Sequence, residues 1–195
     1  VHTAMQNSSP MILFVGQIGR DMREREAFQE IDYRAFFGTV AKWVTEIDNA
    51  DRIPELVARA FQVATSGRPG PVVIALPEDM LTDTTEAQPC KAVKPFRPAP
   101  DMGAVQQAAD LVNAAKNPLL VVGGGGWTDE SRASLSAFAQ KIDIPVATAF
   151  RSQDLIDNCG PHFIGDASFG MPAHLRDTIL KADVIIALNV RFGEI

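Results

Sequence analysis

The side chains best suited to chemistry follow apolar runs. Gly123-Gly-Gly-Gly126 comes after Leu119–Val122, Phe150-Arg151 after Pro145–Ala149, and Asn189-Val-Arg191 after Asp183–Leu188. Glycines let backbone approach a ligand closely, and the N–H groups that open a following helix can hold a diphosphate. Arg151 and Arg191 can each meet phosphate oxygens in pairs. Together these features read as a nucleotide site. The plain alternative is a tight turn. The run fits G-x-G-x-x-G only in its first two glycines, because Thr128 stands at the third, and the Walker lysine is absent. Asp129-Glu130 also places negative charge where a helix start would receive phosphate. On residues alone both readings stand.

A second group is Gly16-Gln17 with Ala27-Phe28-Gln29-Glu30. A glutamine and an aromatic placed after a strand can line a site. Helical spacing would instead make Phe28 a core residue and Glu30 a solvated charge. His2, His162 and His174 have no metal-ligand spacing, so no metal site is expected within this chain. Gly165–Gly170 is one residue too long for the G-x-S-x-G elbow, which argues against Ser168 as a nucleophile. Cys90 and Cys159 stand apart and read as two reduced thiols.

These groups need elements to position them. Met11–Val15 is a continuous apolar run, the pattern of a parallel strand buried on both faces, with Gly16 at its end. Arg23 to Trp43 reads as an interrupted helix bent at Gly38, and a short strand follows around Trp43–Ile47. Asp51 reads as a cap or first-turn acid. After it Ile53, Leu56, Val57, Ala60, Phe61 and Ala64 keep helical period until Gly67. Val72–Leu76 is the next strand. Residues 82–100 are proline-rich and poor in apolar periodicity, as expected of a linker. The pattern resumes with helix Met102–Ala115, strand Leu119–Val122, helix Glu130–Lys141, strand Pro145–Ala149, a long loop, helix Met171–Lys181 and strand Asp183–Leu188. Alternating strand and helix implies an α/β fold: two doubly wound, parallel-sheet, Rossmann-like units joined by a proline-rich linker. In such sheets ligands collect outside the carboxyl ends of the strands, where all three residue groups of the second half would lie.

Composition narrows the function classes. The 195 residues carry 18 basic and 24 acidic side chains, a net charge of −6, which argues against nucleic acid as a partner. The longest apolar runs fall far short of the roughly 18 residues of a membrane span. No cationic stretch followed by an apolar one opens the chain, so a cytoplasmic location without membrane contact is expected. The final strand runs straight into Arg191-Phe-Gly-Glu194, an abrupt finish that reads as a piece of a longer protein.

Four segments carry a joint resemblance: Phe14-Val-Gly-Gln17, Ala27-Phe-Gln-Glu30, Ala64-Thr-Ser-Gly-Arg-Pro-Gly-Pro-Val72 and Leu76-Pro-Glu-Asp79. In order and spacing they resemble the thiamine-diphosphate-dependent enzymes, most closely the acetolactate synthase large subunits. Leu119–Gly125, Phe169-Gly-Met171 and Ala182–Phe192 are similar to the central domain of the same family. The resemblance implies that residues 1–81 are the later part of a pyrimidine-binding domain and residues 101–195 most of a central domain. It implies a transferase or lyase that decarboxylates a 2-oxo acid and ligates the product to a second carbonyl. A 2-oxo acid decarboxylase and a non-catalytic nucleotide- or flavin-binding module are the alternatives. The cofactors implied are thiamine diphosphate and Mg2+, whose ligands would lie outside this chain. The activating glutamate is expected before Val1 and the Gly-Asp-Gly metal motif after Ile195, so the 195 residues alone are expected to be inactive. Phe28, Gln29 and, more weakly, Gln17 are implied to touch the active site at a subunit interface of a homo-oligomer. Arg68, Gly123, Gly124, Gly125, Gly170, Met171 and Arg191 are implied to hold FAD, for which relatives substitute ADP or nothing. Here Pro172-Ala173 follows Gly170-Met171 where the family pattern is closer to Gly-Met-His-Gly.

Overall fold

The computed structural model describes residues 1–92, 94 and 98–193. Pro95-Phe-Arg97 of the expected linker and Glu194 of the final motif lie outside the described residues. The chain divides into two compact units, Val1–Arg97 and Pro98–Ile195. Among the described residues, no helix is long and apolar enough to cross a membrane.

The first unit contains α1 (His2–Gln6), β1 (Met11–Gln17), α2 (Tyr33–Phe37), β2 (Trp43–Glu46), α3 (Ile53–Thr65) and β3 (Pro71–Pro77). The strands form one parallel sheet in the order β1-β3-β2. Val72, Val73 and Ile74 of the central strand are fully buried. Leu56, Ala60 and Ala64 recur every four residues on α3 and pack with Ile47, Val72, Ile74 and Met80. Covering a leucine, isoleucine, valine or methionine of this set stabilises by roughly 1.5–3 kcal/mol, which holds α3 in place more than intrinsic propensity does. Lys42 closes the far end of α3, donating from Nζ to the carbonyls of Val63 and Ser66. Partial burial pulls its pKa below the ordinary lysine value, while the helix dipole favours the cation there.

The second unit contains α4 (Met102–Ala114), β4 (Pro118–Val122), α5 (Asp129–Ile142), β5 (Val146–Ala149), β6 (Phe163–Ala167), α6 (Ala173–Lys181) and β7 (Val184–Leu188). Its parallel sheet runs β6-β5-β4-β7. Strand alternation sends Leu120, Val122 and Val146 to Leu135 and Ala139 of α5, and Leu119, Val121 and Ala147 to Leu175 of α6. The start of α5 is closed by a capping box between Thr128 and Ser131. Asp183 fixes the turn before β4 by accepting the N–H groups of Lys116 at 2.7 Å and Asn117 at 2.9 Å.

The parallel α/β units agree with the sequence reading, and several local expectations do not survive. Arg23 to Trp43 is not a helix. Only Tyr33–Phe37 is helical, because Glu24, Glu26 and Gln29 adopt positive φ and Asp32 caps a new start. Phe28 is accordingly not core but 89% exposed. Phe61 also faces out, since α3 covers the sheet with its Leu56–Ala60–Ala64 stripe. Asp51 does not cap α3. It lies in the preceding 3-10 turn and accepts a hydrogen bond from Thr85. β1 is not buried on both faces, because β3 takes the central place and Phe14 is half exposed. The long loop after Ala149 contains β6, hidden in the sequence by Gly165 at a register shift against β5. α6 begins at Ala173 rather than Met171, because Pro172 is extended.

Two expectations about stability follow. Leu175→Ala empties a fully buried position and will lower the unfolding free energy of the second unit by about 2–5 kcal/mol, read from the denaturant midpoint. Asp79 is held below the ordinary carboxylate range by hydrogen bonds from the Arg20 side chain and backbone. Its contribution is complete above the unfolded value of about 3.9 and is lost as pH falls through the lower folded value. Asp79→Asn will therefore flatten the acid limb of the stability profile below about pH 4, measured by thermal melting across pH.

Candidate functional site

In the first unit the carboxyl ends of the strands open onto a polar cleft of about 370 Å3. Gln17, Arg23, Glu30, Tyr33, Glu46 and Asp48 are among its lining residues. The chain leaves β1 at Gln17 and returns at α2 by way of an excursion over residues 18–32. Gln17 closes its base, donating from Nε2 to the Ile31 carbonyl at 2.8 Å and accepting the Ile18 N–H at 3.1 Å. Tyr33 donates its hydroxyl to the Gly16 carbonyl at 2.9 Å. Arg20 fastens the outer side. Its N–H and Nε donate to the two oxygens of Asp79 at 2.9 and 2.7 Å, Nη2 pairs with Asp83 at 2.9 Å, and Nη1 donates to the Asp48 carbonyl at 2.7 Å. These carboxylates hold the Arg20 pKa above its ordinary value. Arg23 pairs with Glu46 at the end of β2. Phe28 and Gln29 lie exposed on this excursion, on the same unit edge as Gln17.

Arg68 stands elsewhere. It precedes β3, whose seven residues separate the two sheet edges by roughly 20 Å at about 3.3 Å per residue. Its Nε donates to Ser8 Oγ at 2.8 Å and its Nη2 to the Met5 and Gln6 carbonyls at 2.6 and 3.2 Å. The guanidinium thus caps the carboxyl end of α1. Within the first unit Phe28 and Gln29 lie on the excursion that Gln17 fastens at Ile31, and Arg68 lies at the other end of β3.

In the second unit the run after β4 lies beside the exits of both neighbouring strands, where the order reverses between β4 and β7. A Cβ on Gly123 would meet the Cβ of Ala149 at 2.8 Å, and one on Gly124 would meet the Asn189 carbonyl oxygen at 2.4 Å. Those two glycines are required by packing between strand exits. Gly126 and Gly170 differ: both have positive φ, and an added Cβ would meet nothing within 4 Å. There the backbone faces open space. Asn189 Nδ2 donates to the Gly125 carbonyl at 3.4 Å, and Arg191 lies exposed just beyond. Gly170 and Met171 follow β6, two strands away from β4, and Met171 packs partly into the core around Leu175. Phe150 and Phe169 meet edge to face at 5.8 Å between centroids, and the Arg151 guanidinium lies 4.8 Å from the Phe150 ring. Asp166 accepts hydroxyl hydrogen bonds from buried Thr148 and from Ser168, which fastens the turn that carries Phe169.

The start of α5 does not suit a diphosphate. Asp129 and Glu130 occupy its first turn, and a hydrogen bond from Thr128 holds the Glu130 carboxyl below its ordinary range, so the charge persists. The open backbone at Gly126 and Gly170, the aromatic pair and exposed Arg191 lie outside that acidic turn. Among the described residues, no three His, Cys, Asp or Glu side chains gather as a metal site. The sequence reading did not single out Glu30, Arg20 and Asp166 as organisers of these loops. Their backbone and cross-strand partners leave no periodic signal, although Asp79 and Glu30 lie inside the quoted segments.

Comparison with known proteins agrees with the resemblance. Residues 105–195 match the family described as thiamine pyrophosphate enzyme, central domain. The acetolactate synthase large subunit of Parasynechococcus marenigrum is 33% identical over 100% of this chain and 32% of its own length. Acetolactate synthase isozyme 1 large subunit of Escherichia coli is 30% identical over 98% of this chain and 34% of its own. The mitochondrial acetolactate synthase catalytic subunit of Saccharomyces cerevisiae is 31% identical over 98% and 30%. The chain therefore spans about a third of the length of these relatives. Residues 105–195 thus carry the central domain of a thiamine pyrophosphate enzyme, and the whole chain, both units included, is similar to acetolactate synthase large subunits.

Proposed function

We propose that this chain is part of an enzyme that decarboxylates a 2-oxo acid and joins the remaining unit to a second carbonyl compound. The observation that carries this reading is the similarity to acetolactate synthase large subunits along the entire chain rather than over one unit. Bound thiamine diphosphate supplies an electron sink for the bond broken beside the carbonyl. In this reading its Mg2+, its diphosphate ligands and its activating carboxylate come from outside these 195 residues.

The first unit contributes a wall. Phe28 offers an apolar face to the substrate's carbon chain, Gln29 offers an amide for its oxygens, and Gln17 holds the excursion closed beneath them. The second unit binds FAD or ADP, with Gly123 and Gly124 shaping the edge. Gly125, Gly170 and Met171 lie under the ligand, and Arg191 faces phosphate. Arg68, in the first unit, caps α1. The whole enzyme is a cytoplasmic homo-oligomer acting on small molecules.

The test is made on the full-length parent. Pyruvate consumption and carbon dioxide release are expected only when thiamine diphosphate and Mg2+ are both added, and residues 1–195 alone are expected to give no turnover. Failure of the parent to act on any 2-oxo acid under those conditions overturns the reading. For the second unit, denaturing the purified parent is expected to release a yellow flavin. A colourless parent that ignores added FAD but melts higher with ADP assigns the site to ADP instead.

A further inference from the structure

The excursion after β1 carries three non-glycine residues at positive φ: Glu24 at 59°, Glu26 at 53° and Gln29 at 70°. Such backbone is uncommon for residues with a Cβ and persists only where surrounding contacts over-determine it. Here the contacts come from Glu30. Its Oε1 accepts the Glu24 N–H at 2.6 Å and its Oε2 accepts the Ala27 N–H at 3.2 Å. The Glu30 N–H in turn donates to the Ala27 carbonyl at 3.0 Å. One half-buried carboxylate thus joins both ends of residues 24–30, and Phe28 and Gln29 are left at the tip with their side chains outward.

We propose that Glu30 is a positioning residue for substrate recognition: it fixes the strained backbone of residues 24–29 so that Phe28 and Gln29 form a pre-shaped contact surface. The inference rests on the function proposed above and deepens it. A carboxylate is required because two N–H groups converge on two acceptor oxygens. A carboxamide at the same place has one acceptor and turns an NH2 group toward an N–H. Holding the tip rigid removes the ordering cost that a free loop would bring to binding. Glu30 need not touch the substrate.

Glu30→Gln in the full-length enzyme is the test, read in two ways. Amide hydrogen exchange, which needs no activity, is expected to speed up at Glu24 and Ala27 while the sheet amides keep their protection. In steady-state kinetics the KM for the 2-oxo acid is expected to rise about tenfold, with the activation constant for thiamine diphosphate unchanged. Combined with Gln29→Ala, Glu30→Gln is expected to add little further loss, because both substitutions act through one contact surface. Glu30→Asp, which keeps both acceptors on a shorter stem, is expected to recover part of the KM. Additive losses, an unchanged KM beside faster exchange, or unchanged exchange would each overturn the proposal. A parent without thiamine-dependent turnover overturns the functional reading itself and the substrate role of Glu30 with it. The exchange result then reports only on loop structure.

Discussion

Arg20 is the side chain on which the edge of the first unit depends. Leaving β1, it reaches Asp79 and Asp83 beyond β3 and the Asp48 carbonyl beyond β2. The three strands are parallel, so their exits emerge side by side with no hairpin to join them. A planar guanidinium can join them because its donors diverge in a fixed fork; a lysine would supply one point charge and lose the register. The cleft, the bonds of Gln17 and the tip at Phe28 and Gln29 all lie on chain that Arg20 fastens at its start.

The second unit reaches the same arrangement by a different means. Its strand exits are crowded together, and the glycines after β4 answer that crowding: Gly123 and Gly124 give room to Ala149 and Asn189, while Gly126 faces open space. A run that looks uniform therefore holds glycines demanded by the protein beside one, Gly126, whose backbone is open. The acidic first turn of α5 sharpens the division by keeping phosphate away from that helix. Phe150, Phe169, Gly170 and Arg191 lie at strand exits along the same sheet edge.

Both units place rigid, apolar layers beneath polar loops, the usual arrangement by which one fold supports many chemistries. The loops here are not slack. Gln17, Glu30, Arg20 and Asp166 each tie backbone or side chains that lie far apart in sequence or sit in strained conformations. Conformational cost is thus met in folding, before any ligand arrives.

The sequence by itself determined every described strand except β6, the four longer helices and the class of fold, because apolar period and glycine or proline punctuation are local signals. Val72–Leu76 and Leu119–Val122 are legible as buried parallel strands from composition alone, and helix Ile53–Thr65 from its spacing. The family resemblance was legible too, since it rests on the order of short segments. Tertiary structure alone decided the conformation of residues 23–32. A helical spacing of Ala27, Phe28 and Ile31 is overridden there by a carboxylate bonding backward to backbone and by three residues at positive φ. It also decided which glycines are open, that Arg68 caps α1, and that a sixth-place strand hides around Gly165, because each depends on a partner distant in sequence. Local periodicity carries no record of such partners, so the elements could be read in advance and the shape of the site they hold could not.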